Sequence, residues 1–357
     1  MDYRQLLEDI FFVVLFGGVT MLSLVSAIYL WFRKANAVAP EVTSPVRLRR
    51  WTAAFLLSTV FSHMWWLLGV CHPLTNNPIA GYAVLCLLDV VTVFPTMMGT
   101  LLAMLQDKRR PLWPFCLVLL PLLLFYILYI ASENGVYITL IYVYALLFIV
   151  IFTLFMVFAV RRYGRWLQDN YADLEHKEIR NSLLVLAVFL IFFAMYETSE
   201  TGRVVAYLLQ VDILALTVLL LWRVETLQEL IPDATPEVTS VPVPANIGPL
   251  LEKKCESTKL YLQHDLSLTQ LAQVIGTNHT YLSKYFAHQG ITYNAYINGL
   301  RVRHFMRLSQ AAVSEQRMVT AQQLAYESGF HSYSTFSAAF KQNTGMTVTA
   351  WMKGSEK

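Results

Sequence analysis

Residues 324–345 read LAYESGFHSYSTFSAAFKQNTG, and residues 271–290 read LAQVIGTNHTYLSKYFAHQG. The two stretches are copies of one pattern. Leu271, Ala272, Gly276, Leu282 and Phe286 recur as Leu324, Ala325, Gly329, Phe336 and Phe340, offset by 53 residues before the turn and 54 after it. A short helix, a glycine-assisted turn and a second helix that buries its i and i+4 apolar positions against the first satisfy this spacing. The chain is therefore predicted to end in a doubled helix-turn-helix.

Local signals around the copies agree. Ser267 can cap a helix over 268–275, Gly276 supplies the turn where positive φ is needed, and Asn278 can cap a helix running to about His288. Leu282 and Phe286 then face inward, which leaves His279, Thr280, Ser283 and Lys284 on the outer face. An amphipathic helix is expected over 247–263, and a connecting helix from Tyr293 to about Ser309 carries Arg301, Arg303, His304 and Arg307. Residues 245–357 hold 11 basic and 6 acidic residues against 16 and 18 upstream, so the basic surplus belongs to this module.

Everything before it is greasy. The chain is 56% hydrophobic and 14% charged, where a soluble domain has roughly 25% charged residues. Seven apolar stretches, near 10–32, 52–71, 79–104, 112–131, 136–160, 182–199 and 203–223, each approach the roughly 20 residues that cross a bilayer core. The first is too long and too poor in N-terminal positive charge to read as a cleaved signal peptide. Pro95 and Pro121 interrupt the third and fourth stretches.

Loop charges set an orientation. One set of connections carries thirteen basic residues, from Arg33 and Lys34 through Arg47, Arg49 and Arg50 to Lys177 and Arg180, while the other carries Arg4 and Arg203. The positive-inside rule then puts the N-terminus outside and the C-terminus in the cytoplasm. Trp31, Trp51, Trp113 and Trp222 fall at predicted cytoplasmic helix ends, in agreement. The external loops are too short for a folded sensor domain, so sensing is expected within the bundle or through a partner. His63, Asp89 and Asp212 fall near mid-depth and Glu197 near the outer end of the sixth stretch. Ionisable groups there face the bundle interior and either hold it together or form a polar, protonatable sensor site.

From Pro232 to Pro249 five prolines stand among small and acidic residues, the composition of an extended linker. The expected domains are a seven-helix transmembrane sensor and anchor over 1–224, a Pro-rich linker over 225–246 and a helical DNA-binding domain over 247–357. Proline interrupts helices, so coupling across the linker is expected through domain position or dimer geometry. His176, Lys177 and Glu178 read as a solvated loop.

The segments LSLTQLA (266–272), YLSKYF (281–286), GITYNAY (290–296), GFHSYSTF (329–336) and AFKQNTGMT (339–347), with Arg301, resemble the AraC/XylS family of transcription regulators. The likeness covers about 100 residues and is most specific over 329–345; the whole chain also looks like the membrane-anchored, multi-helix members of that family. It implies an all-α protein in which two recognition helices of a cytoplasmic domain enter successive major grooves. By position, Thr280, Ser283 and Lys284, then Ser334 and Thr335, would face base edges, while His279, Tyr333 and Lys341 would meet backbone phosphates. Ala338 stands where the family often has Arg, Val348 where Pro is common and Met352 where Arg is frequent, which implies a second helix that reads fewer bases.

No P-loop, zincin motif, nucleophile elbow or metal-spaced Cys/His cluster is present, and Cys71, Cys86, Cys116 and Cys255 show no paired spacing. No enzymatic activity, metal or cofactor is expected. The reading is a one-component regulator in the bacterial cytoplasmic membrane. Its expected partners are promoter DNA and the lipid bilayer, with RNA polymerase, a second copy of the chain and a small-molecule or protein signal as further candidates. The alternative is a receptor or transporter-like membrane protein whose C-terminal domain has become a protein-interaction module.

Overall fold

The computed structural model describes residues 4–40, 42–71, 78–106, 117–174, 177, 180–197, 202–230, 247–317 and 319–355. Two compact units divide the chain: Met1–Arg161 with Ile179–Leu230, and Arg162–Glu178 with Ile231–Lys357. Among the described residues every regular element is a helix.

The first unit is built from α1 (Arg4–Leu7), α2 (Ile10–Phe32), α3 (Val46–Cys71), α4 (Pro78–Met104), α5 (Leu120–Ser132), most of α6 (Gly135–Asn170), α7 (Arg180–Glu197) and α8 (Arg203–Thr226). Helix α2 packs on α3 and α8, α3 on α4, α4 on α5, and α7 on α8. Five of these helices, α2, α3, α4, α6 and α8, are long and apolar enough to cross a membrane by length and composition. Their outer faces carry large apolar side chains, with Phe11 78%, Phe158 67% and Val204 70% exposed. Such faces exceed what an ordinary water-facing surface leaves uncovered.

The two remaining expected crossings coincide with the shorter apolar helices α5 and α7. At about 1.5 Å per residue, the 13 residues of α5 fall short of a bilayer core. Residues 107–116, which would complete this stretch and include Trp113 and Cys116, lie outside the described residues, as do 198–201 beyond α7. Pro121 interrupts its stretch as expected: residues 117–118 are helical, Leu119 is a turn, and Pro121 occupies the first turn of α5, where its missing N–H leaves no bond unmade. Pro95 lies inside α4.

Residues 225–230, expected to begin the linker, are packed into this unit instead. Glu225, 2% exposed, accepts hydrogen bonds from the Tyr29 hydroxyl and the Ala37 and Val38 amides, and pairs with Arg49 at 3.4 Å. Arg49 also donates to Asn36 Oδ1 and the Arg33 carbonyl. Leu227 is fully buried, and the Gln106 amide bridges the Gln228 carbonyl and the Leu230 N–H. A buried ion pair is held by hydrogen bonds to its other donors and acceptors, and here they reach both carboxylate oxygens and both terminal nitrogens of the guanidinium, leaving Arg49 Nε without a partner among the described residues. The rest of the expected linker, 231–246, lies outside the described residues.

The second unit contains α9 (Ile247–Leu251), a π-turn (Glu252–Glu256), a 3-10 turn (Leu260–Leu262), α10 (Leu268–Ile275), α11 (His279–His288), α12 (Tyr293–Ser314), α13 (Ala321–Glu327), α14 (Tyr333–Thr344) and α15 (Val348–Ser355). The helix expected over 247–263 is thus broken into short turns. Lys259 takes φ +56°, and the Arg301 guanidinium, 1% exposed, captures the carbonyls of Tyr261, Gln263 and His264, which therefore bond to a side chain rather than along a helix.

Helix α10 has the expected limits. Ser267 and Gln270 close a capping box at its start, and Gly276 ends it at φ +80°. A second capping box, Thr320 with Gln323, starts α13 in the other copy. Each helix pair has its own core: Leu268, Leu271, Leu282 and Phe286 in the first, and Leu324, Phe330, Phe336, Phe340 and Val348 in the second. Helix α12 joins them, giving Tyr293, Ile297 and Leu300 to one and Val302 and Phe305 to the other.

Residues 162–178 belong to this unit too. Ala172 is fully buried in the first core, its N–H donates to the Leu266 carbonyl, and Asn294 donates to the carbonyls of Tyr171 and Ala172. Lys177, expected in a solvated loop, is 5% exposed, lies 3.4 Å from Asp265 Oδ1 and stands over the Tyr171 ring. Its apolar stem is buried while the ammonium reaches a carboxylate.

Candidate nucleic-acid interface

Each helix pair sets its second helix by a side-chain cap. Asn278 Oδ1 accepts the Tyr281 N–H at the start of α11, and Ser332 Oγ accepts the Thr335 N–H at the start of α14. These bonds take up amide donors that a helix N-terminus leaves free. They also fix the direction in which the first-turn side chains leave the domain.

On α11, Thr280 and Lys284 are exposed and stand four residues apart, so they share one face; Ser283 beside them is half-buried. On α14, Tyr333, Ser334 and Lys341 are exposed and Thr335 is half-buried. Ser332 Oγ lies 3.1 Å from both the Ser334 and Thr335 hydroxyls, so the two candidate readers belong to one hydroxyl cluster. Ala338 is exposed one turn beyond Ser334 and adds no donor. Val348 opens α15 and is 2% exposed within the second core, so this departure from the family pattern serves packing.

His279 differs from the expectation of an outward-facing side chain. Its Nε2 donates to Asn170 Oδ1 from the last residue of α6, while Asn170 Nδ2 donates to the Trp166 carbonyl. The ring is half-buried. Asn170 therefore belongs to the candidate site, and sequence reading missed it because it ends a long apolar helix more than 100 residues upstream. Arg301, read as one basic residue of the connecting helix, is withdrawn from the surface altogether, and burial lowers its pKa.

Beneath the surface the groups are held inert. Burial pushes the Cys255 thiol up to about 12, Tyr293 is raised well above its ordinary value by burial, and His304 is lowered, first by burial and then by Arg307 and Lys259. A thiol so shifted is no nucleophile at neutral pH.

The four ionisable residues expected within the bundle separate by partner. His63, 5% exposed, bonds to Thr20; Asp89, 1% exposed, receives the indole N–H groups of Trp65 and Trp66; Asp212 has a buried Oδ2 with no partner among the described residues. Glu197 ends α7, and its side chain lies outside the described residues.

Residues 271–354 match a helix-turn-helix domain family. Over 94 residues, 26% of the chain, it is 31% identical to an uncharacterized HTH-type transcriptional regulator of Staphylococcus aureus strain MRSA252 and 30% identical to one of strain COL. A further Staphylococcus aureus protein described in the same words is 32% identical. The chain covers 12% of the length of these relatives. No solved structure matches it significantly. The chain thus carries an AraC-type helix-turn-helix domain at its C-terminus, as the resemblance implied.

Proposed function

We propose that the chain is a one-component transcription regulator, in which a seven-helix bundle anchors the protein in the bacterial cytoplasmic membrane and senses a signal, and the C-terminal domain binds promoter DNA sequence-specifically from the cytoplasm. The observation that carries this reading is the set of exposed polar and basic side chains along α11 and α14, Thr280 and Lys284 on the first and Tyr333, Ser334 and Lys341 on the second, within a domain of helix-turn-helix family. Thr280, Ser283 and Lys284 read bases from α11, and Ser334 and Thr335 do so from α14. His279, Tyr333 and Lys341 meet phosphates. The helix N-termini add amide donors and a favourable dipole toward phosphate.

Five membrane-length apolar helices with exposed greasy faces support the anchor. The basic bias of one set of loops supports a cytoplasmic C-terminus. Helices α5 and α7 coincide with the two further apolar stretches of the sequence, which makes seven crossings in this reading. No catalytic step is assigned to the chain.

The test is footprinting of the full chain, reconstituted in lipid nanodiscs, on the DNA upstream of its own gene. Protection at low salt that falls steeply with added salt is expected, since each neutralised phosphate releases counterions. Lys284→Ala should weaken binding about tenfold, the scale of about 1–3 kcal/mol for a good contact. Absence of any protected promoter at low salt leaves the protein-interaction reading instead.

A further inference from the structure

The first unit holds an apolar cavity of about 140 Å³. It lies where α3 ends and α8 begins, beneath Leu6 and Leu7 of α1, and Phe12, Phe16, Trp66 and Phe192 contribute to its walls. A dry apolar space of about 150 Å³ accepts one benzene-sized ring. The hydroxyls of Thr59 and Ser62 join this lining, Thr59 donating its proton to the Phe55 carbonyl, and so do His63 and Gln210, respectively 5% and 3% exposed. The last two each keep one atom without a partner among the described residues, Nε2 of His63 and Oε1 of Gln210.

The hydrogen-bond roles can be assigned. The Thr20 hydroxyl donates its proton to the Phe16 carbonyl at 2.7 Å, and the same oxygen lies 2.7 Å from His63 Nδ1. With its proton committed, Thr20 accepts, so Nδ1 carries the imidazole hydrogen and Nε2 of the neutral ring is an acceptor. The Gln210 amide oxygen is an acceptor as well. Two buried acceptors therefore border an aromatic cavity without a partner among the described residues, although the Ser62 hydroxyl lines it too, and buried polar atoms left in that condition are uncommon in folded proteins.

We propose that this cavity binds a small uncharged phenol-class molecule, about one ring in size, whose hydroxyl donates to His63 Nε2 or Gln210 Oε1. The inference deepens the sensor reading above and rests on it only for its consequence at DNA. The ring fills the space among the aromatic walls, and the hydroxyl supplies the missing donor. A donor-free ring of similar size satisfies the shape and leaves both acceptors unmet.

The test measures binding to the full chain in nanodiscs by the fluorescence of its tryptophans, with phenol as the probe, toluene as the donor-free control and 1-hexanol as a mimic of lipid chains. Phenol is expected to bind at least tenfold more tightly than toluene, and whichever of Gln210→Leu and His63→Phe removes the accepting atom is expected to shrink that preference to threefold or less. If His63→Phe does not fold, the wild-type preference for phenol over toluene carries the test. Equal binding of phenol and toluene, a preference unchanged in both variants, or saturation by 1-hexanol alone overturns the proposal. DNA binding is read in parallel: a phenol preference of the expected kind without any change at DNA upholds the site and contradicts the sensor reading.

Discussion

Gly329 and Gly276 occupy equivalent turns, at φ +88° and +80°, yet they differ in what surrounds them. A Cβ on Gly276 would meet nothing within 4 Å, whereas one on Gly329 would stand 2.8 Å from the Leu262 backbone. Gly329 is therefore required twice, by its torsion and by the close approach of the 3-10 turn. Gly329→Ala should cost about 2 kcal/mol or more, and Gly276→Ala less, when thermal unfolding of the two variants is compared. His304 makes a pH prediction. Burial, with Arg307 and Lys259 nearby, holds its pKa below the ordinary 6.5, while Glu327 opposes that shift. The fold thus favours the neutral ring, and its contribution to stability is complete above about pH 6.5 and lost as pH falls through that value toward the lowered one. Between pH 7.5 and 5.5 the wild-type unfolding midpoint should drop further than that of His304→Gln.

At the scale of elements, the helix-turn-helix copies were legible because their signals are local. The caps Ser267 and Asn278, the turn at Gly276 and the i, i+4 apolar pairs all lie within a few residues of the helices they define. What the sequence concealed is long-range. Arg301 breaks the helix expected over 247–263 by taking carbonyls about 40 residues away, and Glu225 closes a network with Tyr29, Asn36 and Arg49 nearly 200 residues upstream. No periodicity encodes such partners. Arg49 also illustrates how a residue counted toward membrane orientation has a structural duty as well. The most consequential hidden contact is Asn170 with His279. Because His279 is proposed to meet a phosphate, this bond competes with DNA. Asn170→Ala should tighten DNA binding about threefold, less than the roughly 1 kcal/mol of a typical hydrogen bond, while leaving the Thr280 and Lys284 contacts intact. A gel-shift titration of the full chain reads the difference; weaker binding would mean that Asn170 positions His279 for DNA.

For the whole molecule, the division of the chain matters more than its linear order suggests. Ala172 is fully buried in the first helix-turn-helix core, so a fragment beginning at residue 247 lacks part of that core and leaves the Leu266 carbonyl with the Tyr293 hydroxyl in place of two donors. Helix α6 contributes to both units, which offers a connection between them besides the Pro-rich segment. The chain passes between the two units three times, after Arg161, after Glu178 and after Leu230, so the proposed regulator has three covalent connections between bundle and DNA-binding domain. Its central claim is sequence-specific occupancy of promoters by the membrane-embedded protein. A genome-wide map of full-length protein on DNA, in cells carrying wild type or a Thr280→Ala, Lys284→Ala double variant, tests this most directly. The account predicts discrete promoter peaks for the wild type that collapse in the variant at equal protein level and equal membrane retention. Peaks that persist unchanged in the variant, or no promoter enrichment for the wild type, would contradict it.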